Sequence, residues 1–78
     1  MREKEPKLLI TFHTTAGAMA MEKQCKQGGL PGRLIPVPRS ITADCGMAWC
    51  APPEARGVLE ALMQRESLDT AGVYELLL

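Results

Sequence analysis

Gly32-Arg33-Leu34-Ile35-Pro36-Val37-Pro38 decides the fold of this 78-residue chain. Residues 32–37 read as a strand, but Pro36 and Pro38 have no N–H to give to a ladder. Such a strand belongs at a sheet edge. Toward the N-terminus, Lys7-Leu8-Leu9-Ile10-Thr11-Phe12 predicts an earlier strand, with Leu8, Ile10 and Phe12 alternating onto one face. His13-Thr14-Thr15 supplies helix-start chemistry, because either threonine can cap exposed backbone N–H groups. A helix then follows over 16–27, with Thr14, Ala18, Met21 and Cys25 along one stripe, and Gly28-Gly29 ends it.

On the C-terminal side, residues 39–46 form a polar loop and 47–51 a third strand. Pro52-Pro53-Glu54 opens a second helix, since proline and an acid are both favoured in a first turn. Its apolar positions Ala55, Val58, Leu59, Leu62 and Met63 keep the i, i+3, i+4, i+7, i+8 spacing. Residues 67–72 turn, and 73–78 form the last strand. The order is βαββαβ, an α+β ferredoxin-like sandwich with a four-stranded antiparallel sheet and two helices on one face. Right-handed crossovers leave few other arrangements. The first and third strands are then central, which agrees with the prolines in the second. Residues 1–6 are expected to be a solvated lead-in and 7–78 a single domain.

The charge is balanced at nine of each sign, which argues against a dedicated phosphate-backbone binder. Three aromatic residues are too few for a single-strand stacking platform. A domain this small buries roughly 60–65% of the surface its unfolded chain exposes, so there is room for one modest core and no elaborate cofactor site. The charged N-terminal stretch precedes only a short apolar run, unlike a signal peptide or a membrane span. A cytoplasmic protein with reduced thiols is expected, with no nucleic-acid or membrane partner.

Of the three cysteines, Cys45 carries the chemical interest. It lies in Thr42-Ala43-Asp44-Cys45-Gly46, where the glycine permits a tight turn. A thiol of ordinary pKa is only about 3% thiolate at neutral pH, so nucleophilicity requires a depressed value. Arg39, the N-terminus of the first helix at Thr14-Thr15, and protonated His13 would depress it; Asp44 would oppose them. The competing reading is a structural loop cysteine. Cys25, on an apolar stripe, and Cys50, in a strand, read as core residues. No CxxC pair is present, and about 16 Å of extended strand separates Cys45 from Cys50, so no metal site and no cofactor are expected. The topology is expected to bring the 12–15 turn, the 38–46 loop and Leu78 to one end of the sheet. Leu9, Trp49 and Leu77 are expected on the open sheet face, favouring a homodimer there.

Residues 15–23, then Arg33-Leu34-Ile35-Pro36-Val37-Pro38-Arg39-Ser40-Ile41, then Asp44-Cys45-Gly46-Met47-Ala48, resemble the selenium/sulfur carrier protein-like family of small bacterial and archaeal domains. The specific part is the Pro-Val-Pro-Arg segment followed by Cys-Gly. The resemblance implies a carrier, rather than a turnover enzyme, that holds sulfur or selenium on Cys45 as a persulfide or selenosulfide. It would pass the atom from a donor, such as a cysteine desulfurase, to an acceptor protein. Arg39 would stabilise the charged terminal atom and Gly46 would leave its N–H open to it; Glu22 matches the family helix. The alternative from another class is a non-catalytic ferredoxin-like interaction or regulatory module in which Cys45 is structural.

Overall fold

The computed structural model describes residues 5–38 and 46–77. The strands are β1 (Pro6–Thr11), β2 (Arg33–Pro36), β3 (Met47–Ala51) and β4 (Gly72–Leu77), and the helices are α1 (Thr15–Gly28) and α2 (Arg56–Arg65). They form one four-stranded sheet in the order β2-β3-β1-β4. Every neighbouring pair is antiparallel. This is the α+β ferredoxin-like arrangement, with β1 and β3 inside and the proline-bearing β2 at an edge.

Local chemistry sets the helix ends. Thr14 is extended and its hydroxyl accepts the Gly17 N–H at 3.1 Å, so it caps α1 and Thr15 becomes the first helical residue. Gly29 takes φ +69°, and its N–H turns back onto carbonyls of the last turn. Before α2, Pro52-Pro53 can donate no backbone hydrogen bond. The chain therefore enters through a 3₁₀ turn at Pro53–Ala55, and the α-helix starts three residues later than the proline pair suggests.

The core lies between the sheet and the helices. Leu8, Ile10 and Phe12 face it from β1 and its C-terminal end, and Trp49 and Ala51 face it from β3. Ala18, Met21 and Cys25 come from α1, and Leu59 and Leu62 from α2. Val58 departs from the expected stripe: it is 47% exposed. It sits on the shoulder of the apolar arc and lines a cleft with Gly28 and Leu30, at the C-terminal end of α1.

Two expectations about position are corrected by the register. Ile10 lies opposite Trp49, so Trp49 shares the helix face and its indole N–H reaches the Pro31 carbonyl at 3.2 Å. Leu77 lies opposite Pro6, which gives it the same parity as Leu8 and Ile10. Of the three residues expected on the open face, only Leu9 has that parity, and it is fully buried rather than exposed. Its open-face neighbours are Cys50 on β3 and Tyr74 on β4. The same Pro6–Leu77 pairing places the C-terminal end of β4 away from the 12–15 turn. The reason is direction: β3 and β4 both run antiparallel to β1, so β4 ends where β1 begins. Leu78 itself lies outside the described residues.

Candidate functional site

One end of the sheet gathers the described residues that flank the 39–45 segment. Thr11 pairs with Ala48, Ala48 pairs in turn with Ile35 on the edge strand, and Met47 pairs with Pro36. Phe12, His13, Thr14 and Thr15 continue directly from Thr11. Val37 donates its N–H to the Gly46 carbonyl at 3.0 Å, which ties together the two sides of the 38–45 segment. Gly46 has φ +75°, a conformation that disfavours any side chain, and none of the described residues lies within 4 Å of where a Cβ would project. The glycine is thus required by the backbone rather than by crowding.

His13, Thr14 and Thr15 are exposed at this end. The Thr14 hydroxyl is engaged as the cap of α1, while Thr15 occupies its first turn. No acidic residue sits in that turn, so the positive end of the helix dipole carries no carboxylate of its own. Arg39 and Cys45, the two residues on which the sequence reading placed most chemistry, lie outside the described residues, as does Asp44. Glu22, midway along α1, faces partly to solvent and pairs with Lys26 at 3.9 Å.

The other two cysteines part company. Cys25 is fully buried under the sheet, and desolvation pushes its thiol up to about 11. It is a core residue, as its stripe suggests. Cys50 is not: it is half-buried and has the open-face parity, one step out of phase with the core residues Trp49 and Ala51. It lines a cavity of about 420 Å³ together with Lys7, Gly32, Arg33, Ile35 and Pro52. Three strands contribute to this cavity, and two cations stand in its wall. The sequence reading missed it, although strand alternation held the signal once Trp49 was assigned inward.

Residues 7–75 match the family described as "Putative Se/S carrier protein-like". The chain belongs to this family. The match runs from β1 into β4, so it includes both helices and the whole Cys45 segment. No curated protein and no solved structure matches the chain. Among the described residues, no helix is long and apolar enough to cross a membrane.

Proposed function

We propose that the protein is a small thiol carrier that accepts sulfur or selenium on Cys45 and hands it to an acceptor protein. Membership of the carrier-like family over residues 7–75 carries this reading. The backbone at Gly46 supports it, because a left-handed residue suits a turn that presents the preceding side chain. A carrier requires little more than one presented thiol, which fits a domain with a single modest core.

In this reading the Cys45 thiolate attacks the outer sulfur of a donor persulfide, such as that of a cysteine desulfurase. The donor thiolate leaves, and the acceptor later takes the terminal sulfur from Cys45 by the same exchange. Arg39 and the N-terminal turn of α1 at Thr14-Thr15 stabilise the negative sulfur, with His13 adding positive charge when protonated. In this reading the Gly46 N–H donates to the same charge. The natural setting is the cytoplasm, where thiols stay reduced.

Incubation with a cysteine desulfurase and cysteine, followed by alkylation and peptide mass spectrometry, tests the proposal. One added sulfur is expected on Cys45, and Cys45→Ser should abolish it. Absence of that adduct, or equal labelling at the site-removed variant, would overturn the carrier reading. Arg39→Gln should reduce the rate of loading by roughly tenfold, the scale of a charged contact to a reacting anion.

A further inference from the structure

The open face of the sheet carries a second thiol in different surroundings. Cys50 on β3 lies directly opposite Arg33 on β2 and Leu9 on β1. Residues directly opposite have Cβ atoms about 5 Å apart, and diagonal neighbours about 7–8 Å. Lys7, two residues before Leu9, is such a diagonal neighbour on the same face. The thiol is therefore flanked by an arginine on one side and a lysine on the other, and all three line the 420 Å³ cavity.

The charge around this cavity is lopsided. Arg33 is exposed, and among the described residues it makes no ion pair and no carboxylate lines the cavity. Two acids stand beside it: Glu54 shares an adjoining cleft with Lys7 and Pro52, and Glu5 places its Oε2 3.4 Å from Lys7 Nζ. The Glu5 side chain is 70% exposed, so water screens that pair and leaves Lys7 free to turn to a ligand. The walls of Ile35 and Pro52 add apolar surface beside the charged rim. A small anion with two or more oxygens matches two cations set on either side of a cavity floor.

We infer that this cavity binds a small sulfur oxyanion bearing a transferable outer sulfur, of the thiosulfate type, with Lys7 and Arg33 on its oxygens and Cys50 at its sulfur. The anion site stands on the geometry of the open face; the choice of a sulfur donor rests on the carrier reading. Cys50 first loses its proton to solvent, and the thiolate attacks the outer sulfur. A bond forms from Sγ to that sulfur, the sulfur–sulfur bond of the donor breaks, and sulfite leaves with the bonding electron pair. Cys50 is left as a persulfide. No oxidant or reductant is consumed.

The full-length Cys45→Ser variant isolates this site from the carrier thiol, so the two proposals fail separately. Peptide mass spectrometry after exposure to thiosulfate and alkylation should show one added sulfur on Cys50. Alkylation of Cys50 by anionic iodoacetate, measured against neutral iodoacetamide, should be favoured roughly tenfold over the ratio for free cysteine. Added salt should erase that preference. Lys7→Gln with Arg33→Gln should lower both sulfur loading and the iodoacetate preference, with an unchanged circular dichroism spectrum. An iodoacetate ratio equal to that of free cysteine would overturn the anion site. A normal ratio shift without sulfur on Cys50 would overturn the donor assignment.

Discussion

Cys25 and Cys50 belong to one small sheet-and-helix layer, yet they live in different solvents. Cys25 sits on the inner stripe of α1, with no exposed surface, and its thiol is pushed up to about 11 by desolvation. Cys50 sits on the opposite face of the sheet, half-buried between two cations. Water is excluded from one and reaches the other. The comparison teaches that the exposure of these two thiols is set by which side of the sheet each one takes. Burial disfavours the thiolate, and the thiolate is the reactive form.

The largest contrast should appear in alkylation. A thiol held at about 11 instead of 9.0 carries about a hundredth of the thiolate at neutral pH, and burial adds a barrier to access. In the native protein Cys50 should therefore react with iodoacetamide at least a hundredfold faster than Cys25, by peptide mass spectrometry. Comparable rates would break the comparison. Denaturant should bring the two rates together.

Stability should separate the pair next. Cys25→Ser places a hydroxyl in the apolar core, and urea unfolding should show a loss of about 2 kcal/mol. A loss well under that would mean that the residue is wetter than its burial implies.

The pH dependence sharpens the same point. The folded Cys25 thiol titrates near 11, above its unfolded value of 9.0, so the unfolded chain releases this proton first. Its contribution to stability is then fully present below pH 9 and is lost as pH rises from 9 to 11. Unfolding curves of the native chain and of Cys25→Ala should diverge in slope across that window and run parallel below it. Parallel curves throughout would show that Cys25 does not titrate with folding.

The smallest effect belongs to the other thiol. Cys50→Ser keeps a small polar group on a half-exposed face, and its stability should stay within about 0.5 kcal/mol of the native chain. A cost as large as that at Cys25 would place Cys50 in the core after all.

Much of the fold was legible because short-range rules were strong where it mattered. The alternation of Leu8, Ile10 and Phe12, the threonine before α1 and Gly29 after it all act within a few residues. The prolines of the second strand marked an edge because a missing N–H is a covalent fact. Val58 was harder, since the spacing of a stripe does not say how wide the opposing surface is. Trp49 and Leu77 were misplaced for a related reason: alternation divides a strand into two sets without saying which set is covered. Of the proposed carrier site, His13, Thr14, Thr15 and Gly46 were legible as turn and cap residues, and their backbone settings follow from those roles.

The sequence alone determined the order of elements, the edge position of β2, the capped start of α1 and the kinship with the carrier-like family. Each of these depends on a residue and its near neighbours in the chain. Only the tertiary structure decided that Trp49 packs inward and that Cys50 joins Lys7 and Arg33 in one cavity. That arrangement requires three strands in a particular register, with the helices packed on one face. Register fixes which side chains stand together across the sheet.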